Sequence, residues 1–129
     1  MVNTHVFDYI NVLDKAADAA WLRNDAIANN IANIDTPGYK RQDVAFEHEL
    51  QRALGYHAFQ SMDDKVYNLN TNDITPKVYT DAAAFSYRLD KNNVDIDTES
   101  VYMAENQVVY NALLDCITKE FTNLKSVMK

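Results

Sequence analysis

The feature of this 129-residue chain that most constrains its fold is a pair of apolar stripes, one near each end. The positions of the first stripe alternate spacings of four and three residues without a break. This spacing is typical of one face of a long helix that packs against another helix. A helix of about 30 residues spans roughly 45 Å, which is long for so small a domain. The members of the first stripe are Val6, Ile10, Leu13, Ala17, Ala20, Asn24, Ile27, Ile31 and Ile34.

The second stripe has the same spacing and runs along the C-terminal segment. Its helix is expected to begin at the acidic, cap-forming run 97–99. Together the stripes predict a mainly α fold, an antiparallel coiled-coil-like pair of long terminal helices with a short irregular middle. We divide the chain into an N-terminal helix (1–36), a middle segment (37–97) and a C-terminal helix (98–129). The members of the second stripe are Met103, Asn106, Tyr110, Leu113, Ile117, Glu120, Leu124 and Val127, with Phe121 beside Glu120.

An antiparallel pair with these stripes has a preferred register, in which Asn24 lies opposite Asn106. Small residues of one helix then face large residues of the other, as close packing requires. A pair of asparagines also satisfies two amides that are costly to bury singly. The other pairs are Ile27 with Met103, Ala20 with Tyr110, Ala17 with Leu113, Leu13 with Ile117 and Val6 with Leu124. Two further pairs, Ile10 with Glu120 and Ile31 with Glu99, do not suit a sealed core, so we expect those ends to face solvent or neighbouring subunits.

The middle segment predicts short elements. Residues 44–54 have the apolar spacing of a helix that ends near Gly55. Residues 66–67, 77–80 and 85–89 have the composition of short strands separated by polar stretches. We therefore expect the region 56–89 to be loop with one β-hairpin. Pro76 restricts any strand that includes it to a sheet edge.

A strong stop signal ends the first helix. Pro37 disfavours the helical region for Thr36, and Gly38 adopts positive φ at little cost. Pro37–Gly38 therefore suits a type II turn that sends the chain out at a defined angle. The heptad register adds that this turn faces the start of the returning helix, around Ile96.

The composition excludes several classes of protein. A net charge of −7 without any basic stripe argues against a nucleic-acid partner. The single Cys116 excludes an internal disulfide and a thiolate metal cluster. No apolar run has the length of a membrane span, and the first twenty residues lack the regions of a cleaved secretory signal. We expect either a cytoplasmic protein or export by a route that needs no cleaved signal.

No residue pattern indicates an enzyme, a metal site or a cofactor. His5, His48 and His57 lack metal-ligand spacing, so surface or interface positions are expected. Cys116 lacks an activating context, which favours a buried, small apolar role. The acidic residues Asp90, Asp95, Asp97 and Glu99 lack the central glycine and the spacing of an EF-hand, so they indicate the start of a helix.

Five tyrosines fall in the poorly periodic middle. They serve either as interface anchors or as a cover for the hairpin, and the sequence favours neither reading. They are Tyr39, Tyr56, Tyr67, Tyr79 and Tyr87.

The stretch ANNIANIDTPGYKRQDVAFEHEL (28–50) resembles the bacterial flagellar basal-body rod protein family, and within it the FlgB group of proximal-rod proteins. Residues 88–99 resemble the family's linker into the C-terminal helix, and Ala104–Glu105–Asn106 also matches. The continuation Tyr39–Lys40–Arg41 is more similar to FlgB than to its neighbour FlgC. The shared axial-protein motif is Asn29, Asn30, Asn33, Asp35, Thr36, Pro37, Gly38 and Tyr39.

The resemblance implies a structural subunit of the proximal rod, located in the basal body outside the cytoplasmic membrane. Such subunits are exported by the flagellar type III apparatus and assemble helically with copies of themselves, with other rod proteins and with proteins at the junction of membrane ring and export gate. Phe46 and Leu50 match the family's export-recognition element. We expect Phe46→Ala to block secretion without unfolding the isolated chain.

Two other readings stay open. A cytoplasmic helical-hairpin adaptor or export chaperone explains the acidic composition and the two helices, but does not explain the turn at Asp35–Gly38 that ends the first helix. A wall-modifying enzyme fits a rod that crosses peptidoglycan, but the sequence offers no catalytic constellation for it.

Overall fold

The computed structural model describes residues 7–55, 60–81, 86 and 88–128. Two long helices dominate them, one of 25 and one of 32 residues. Shorter elements fill the middle of the chain. In chain order the elements are α1 (Asp8–Ala32), β1 (Gln42–Ala45), α2 (Glu47–Leu54), α3 (Met62–Tyr67), a 3₁₀ turn (Thr71–Asp73), β2 (Lys77–Thr80) and α4 (Ile96–Val127).

Helices α1 and α4 pack against each other, which confirms the predicted helix pair. The Nδ2 of Asn106 donates to Asn24 Oδ1 at 2.9 Å and to the Ala20 carbonyl at 2.7 Å. The predicted contact between the two asparagines is therefore confirmed. Val6 lies outside the described residues, so its pairing with Leu124 stays a prediction.

The returning helix begins slightly earlier than expected. Asp95 is its N-cap, since its Oδ1 accepts from Asp97 N–H at 3.1 Å and its Oδ2 accepts from the Thr98 hydroxyl at 3.0 Å. The cap is thus the acidic residue that precedes the run 97–99. A carboxylate at this position satisfies donors that the first turn leaves without intrahelical partners.

The two strands pair antiparallel, with Gln42 opposite Thr80 and Ala45 opposite Lys77. The strand at 77–80 is confirmed, but its partner is β1, before α2, and not a neighbour within 56–89. The expectation of helix from residue 44 was wrong for Val44 and Ala45, because Val44 is buried against α1 in strand conformation.

Two other predicted strands differ from the structure. Residues 66–67 end helix α3, whose first turn is capped by Ser61 through its Oγ and Asp64 N–H. Arg88 and Leu89 lie in a bend and turn. Phe85 and Tyr87 lie outside the described residues.

The main core lies beside α1, where the sheet and the 3₁₀ turn cover it. Small α1 side chains let the strand approach closely, and larger ones from the middle segment fill the space. Its buried members are Ala19, Ala26, Val44, Phe46 and Ile74.

Helix α4 is covered on one side only. The stripe positions Tyr110, Leu113, Ile117 and Leu124 are partly buried, whereas most of its other side chains are exposed. Cys116 is among the exposed ones, so the buried role expected for it was wrong, because no described element covers that side of the helix. No helix within the described ranges is long and apolar enough to cross a membrane.

Candidate functional site

The exit from α1 is a tight turn at Pro37–Gly38. Gly38 has φ of +74°, and Tyr39 N–H donates to the Thr36 carbonyl at 3.3 Å. This is the geometry of the predicted type II turn. A Cβ at position 38 would meet no atom beyond its chain neighbours within 4 Å, so the positive φ and not lack of space requires glycine there. Gly38 N–H also donates to the Asp90 carbonyl at 2.8 Å, which joins the turn to the returning chain.

Asn92, in the segment just before α4, caps the C-terminal end of α1. It is fully buried, and its Nδ2 lies within 3.0 Å of three backbone oxygens. A helix end leaves its last carbonyls without intrahelical partners, and this side chain supplies the donor. The three carbonyls belong to Asn33, Ile34 and Thr36.

Asn30 links α1 to both the strand and the returning helix. Its amide exchanges two hydrogen bonds with the Gln42 backbone, at 2.8 and 2.9 Å, as a neighbouring strand would. Its Nδ2 also donates to Glu99 Oε2 at 3.0 Å, and its Oδ1 accepts from the Tyr39 hydroxyl at 3.2 Å. All four hydrogen-bonding positions of this buried amide are therefore filled.

Arg41 forms a buried ion pair with Glu99, with Nε 2.5 Å from Oε1. Glu99 is 1 % exposed. Burial acts against the charge of Arg41, but the hydrogen bond and the negative charge of Glu99 outweigh it and raise the pKa of Arg41 above its ordinary value. The guanidinium also contacts Asp43 and Asp81 at 3.1 and 2.9 Å and lies 5.0 Å from the Tyr102 ring centre.

Backbone contacts continue this arrangement across the sheet. Arg41 N–H donates to Asn93 Oδ1 at 2.7 Å, and Asn93 Nδ2 donates to the Asp81 carbonyl at 3.0 Å. Asp81 N–H donates back to the Arg41 carbonyl at 2.8 Å. We call the cluster of Asn30, Tyr39, Arg41, Asn92, Asn93 and Glu99 the joint. The joint holds both ends of the middle segment together, as the heptad register predicts.

The structure separates the predicted motif residues into two groups. Asn30 is buried in the joint, whereas Asn29 and Asn33 make local contacts along the helix end, Asn33 Nδ2 donating to the Asn29 carbonyl at 2.8 Å. Thr36 donates its hydroxyl to Asn33 Oδ1 at 3.2 Å. Asp35, Thr36, Pro37 and Gly38 are exposed.

The expectation that the Ile31–Glu99 end faces solvent or neighbours was wrong. Glu99 is buried because Arg41 and Asn30 neutralise and hydrogen-bond its carboxylate, which makes burial of a charge tolerable. Sequence reasoning also missed the roles of Arg41 and Asn92. The available signal was that the register places Glu99 opposite the apolar Ile31, where a buried carboxylate calls for a cation.

The proposed export element lies in the core. Phe46 is 5 % exposed, and Leu50 packs against the same core cluster. Arg23 holds the segment on α1 through a two-pronged bond to Glu47, at 2.7 and 2.8 Å, and a bond to the Val44 carbonyl at 2.9 Å. Phe46→Ala therefore removes core packing as well as a recognition residue.

The described tyrosines of the middle segment differ in exposure. Tyr39 is partly buried, and burial followed by the charge of Glu99 raises its pKa, so its hydroxyl remains a donor. Tyr67 and Tyr79 are 54 % and 45 % exposed. Tyr56 and Tyr87 lie outside the described residues.

The candidate metal ligands do not converge in the part of the chain that the structure describes. No group of three or more histidine, cysteine or carboxylate side chains there could hold a metal ion. His48 is exposed. His5 and His57 lie outside the described residues.

Comparison with known proteins places these features in a family. The family model described as "Flagella basal body rod protein" matches residues 10–40, which include the end of α1 and the turn. The flagellar basal body rod protein FlgB of Bacillus subtilis is 33 % identical to the chain over 92 % of both chains.

Other relatives extend the similarity. FlgB of Borrelia hermsii is 33 % identical over 93 % of this chain and 95 % of its own length. FlgB of Escherichia coli is 29 % identical over 83 % of both chains. The similarity therefore runs through the joint and both long helices, and the chain belongs to the FlgB family of flagellar basal-body rod proteins.

Proposed function

We propose that this chain is a structural subunit of the proximal rod, exported by the flagellar type III apparatus and assembled helically to join the membrane ring to the distal rod. Its partners are copies of itself, other rod proteins and proteins at the junction of ring and export gate. Its place is the basal body outside the cytoplasmic membrane, which is the periplasm in a two-membrane cell.

The observation that carries this proposal is the uncovered apolar surface of α4. A monomer that exposes so many large apolar side chains on one helix presents a surface for protein contacts. The exposed side chains are distributed along the whole helix, which suits packing against parallel neighbours in a tube. The exposed side chains include Val101, Val108, Leu114, Phe121, Val127 and Met128, from 42 % to 85 % exposed.

Export of an unfolded chain also agrees with the position of Phe46. A recognition residue that is 5 % exposed in the folded monomer is accessible only when the core is open. The same side chain then serves the export apparatus before folding and the core afterwards. This dual use supports recognition of the unfolded chain.

The first prediction tests export while separating it from folding. In a flagellated bacterium that lacks its own copy, we expect Phe46→Ala to abolish secretion into the periplasm and motility. Ile74→Ala is the matched control, because Ile74 belongs to the same core cluster and both truncations cost about 2–5 kcal/mol of stability. Secretion is measured by immunoblot of periplasmic and cytoplasmic fractions.

The control should be secreted at close to the wild-type level, since it leaves the export element intact. Equal secretion of both variants would contradict the role of Phe46. Retention of the wild-type chain in the cytoplasm, in a strain with a working export apparatus, would instead support a cytoplasmic adaptor or export chaperone.

A further inference from the structure

A cleft of about 300 Å³ lies between α1, β1 and α4. Ile27 and Asn106 form part of its wall, together with the exposed ring of Tyr102 and the exposed side chain of Val109. The cleft therefore opens on the side of the helix pair that carries the sheet. An opening of this size accepts one large side chain.

Asn106, which lines this cleft, has one buried side-chain atom without a hydrogen-bond partner among the described residues. Asn106 is 4 % exposed, and its Nδ2 donates to the Ala20 carbonyl and to Asn24 Oδ1. Because both partners are acceptors, the orientation of the amide is fixed. Its Oδ1 is buried and receives no hydrogen bond from the residues that the structure describes. A buried acceptor without a donor is costly, so the cleft favours an occupant that donates.

The charges around the cleft favour a neutral donor. Arg23 and Arg41 line it together with Asp43 and Glu105, which makes the lining neutral overall. Both arginines are already paired with carboxylates, Arg23 with Glu47 and Arg41 with the buried Glu99. A charged occupant of either sign would meet two side chains of like charge, and an anionic one would also compete with the existing ion pairs. An apolar body with one neutral donor fits best.

Trp21 has this chemistry. It is the only tryptophan of the chain and is 63 % exposed on α1. Its indole N–H donates and does not accept, and its body is apolar. By contrast, the hydroxyl of the exposed Tyr9 already donates to Asp63, and Tyr102 is itself part of the cleft.

Trp21 cannot reach the cleft of its own chain. At about 100° per residue, it points roughly 160° around α1 from Arg23 and roughly 120° from Ile27. We propose that Trp21 of a second copy inserts into the cleft and donates its indole N–H to Asn106 Oδ1. The tryptophan and the cleft are different patches of one surface, so the contact is head-to-tail and generates an open array unless rotation closes it. The inference rests on the proposed self-assembly of the chain, to which it assigns an acceptor site.

The direct test is a disulfide between copies. In a background that carries Cys116→Ser and keeps Trp21, we mix an Asp25→Cys variant, whose thiol lies at an exposed α1 position one turn from Trp21, with a Val109→Cys variant under mild oxidation. We expect the mixed dimer to form in clear excess over either symmetric dimer. A double variant with both substitutions on one chain should give a ladder of oligomers on a non-reducing gel.

The matched control replaces Val109→Cys by Leu114→Cys, which is on the same helix and similarly exposed at 42 % but outside the cleft lining. Equal cross-linking to positions 109 and 114, or dominant symmetric dimers, would overturn the proposal. Failure of secretion in the earlier experiment has no bearing on this result, because the purified full chain is used.

The second measurement tests the hydrogen bond. Trp21→Phe keeps an aromatic body and removes the donor, and we expect it to weaken self-association by about tenfold in sedimentation experiments. The fluorescence of Trp21 also measures insertion directly, since its emission maximum should shift to shorter wavelength as wild-type chains associate. Unchanged association of Trp21→Phe, an emission maximum that stays that of exposed indole, or a wild-type chain that remains monomeric at millimolar concentration would overturn the proposal.

Discussion

Asn30 and Asn92 hydrogen-bond as if they were pieces of backbone. Asn30 pairs with Gln42 in both directions, like the next strand of a sheet, and Asn92 donates to carbonyls that end a helix. An amide side chain carries the same donor and acceptor as a peptide group, so it can continue a backbone pattern where the chain itself cannot. This explains why an asparagine-rich helix end and an asparagine-rich linker lie together.

Within the joint, the buried Arg41–Glu99 pair is where we expect a single substitution to lower the free energy of unfolding most. We expect Glu99→Gln to lower the free energy of unfolding by about 3 kcal/mol, the lower end for breaking a buried pair, because Asp43 and Asp81 still face Arg41. The loss arises mainly from leaving the guanidinium without its buried partner. Urea unfolding at neutral pH measures it.

The control for this prediction is Asp115→Asn, an exposed carboxylate on the same helix, which should change stability by less than about 0.5 kcal/mol. Replacing both partners, Arg41→Met with Glu99→Leu, should cost less than the sum of the single changes, because neither charge is then left buried alone. A Glu99→Gln variant as stable as the control would show that the pair does not stabilise the fold.

At the element scale, the helix pair combines close packing with the polar contact between Asn24 and Asn106 within the two stripes. An asparagine within an apolar stripe fixes register at a cost in stability. We expect Asn24→Leu with Asn106→Leu to raise the urea midpoint and to allow more than one register. The acceptor of Asn106 that lacks a donor adds to the expected gain, since its burial cost disappears.

Nuclear magnetic resonance can test the loss of uniqueness, because several registers give more than one set of backbone amide peaks. Asn111→Leu on the exposed side of α4 is the control and should keep a single set. A double variant that is less stable than the wild type, or that is more stable with one set of peaks, would contradict the register role of the asparagine pair.

The long helices and their contact could be predicted because heptad spacing persists over many residues. The turn after α1 could also be predicted from the sequence, since Pro37 and Gly38 restrict the backbone directly. The pairing of β1 with β2 was not, because each strand has only four residues and the partners lie on opposite sides of α2 and α3. Glu99 was misread because its burial depends on Arg41, which is distant in sequence and joins it only after folding.

At the scale of the whole molecule, the middle segment packs on α1, whereas one side of α4 has no described element packed against it. The joint, the sheet and the core all lie along α1, whereas α4 leaves most of its other surface uncovered. Arg23 holds the middle segment to α1 through Glu47 and Val44. Release of this contact loosens the middle segment without separating the helices, so acid below about pH 4.5 should weaken this part of the fold.

The Arg23–Glu47 contact predicts how stability depends on pH. The hydrogen bond from Arg23 holds the pKa of Glu47 below its ordinary value of 4.5. The unfolded chain therefore binds more protons than the folded protein between the two values. This contribution to stability is fully present above pH 4.5 and is lost as the pH falls through the lower, folded pKa. Because Glu47 is largely exposed, the contribution at neutral pH is at most about 1 kcal/mol.

We expect Glu47→Gln to flatten the acid limb of the stability curve. Urea midpoints measured at about pH 7 and about pH 3.5 should differ less for this variant than for the wild type, since the proton uptake linked to unfolding is removed. Asp18→Asn, an exposed α1 carboxylate, is the control and should reproduce the wild-type difference. If the difference for Glu47→Gln equals that of the control, the acid sensitivity arises elsewhere and the middle segment is not held through Arg23. If the difference shrinks, the Arg23–Glu47 contact accounts for that part of the acid sensitivity, and its loss below pH 4.5 weakens the hold on the segment around Phe46, because Glu47 follows Phe46 directly at the start of α2.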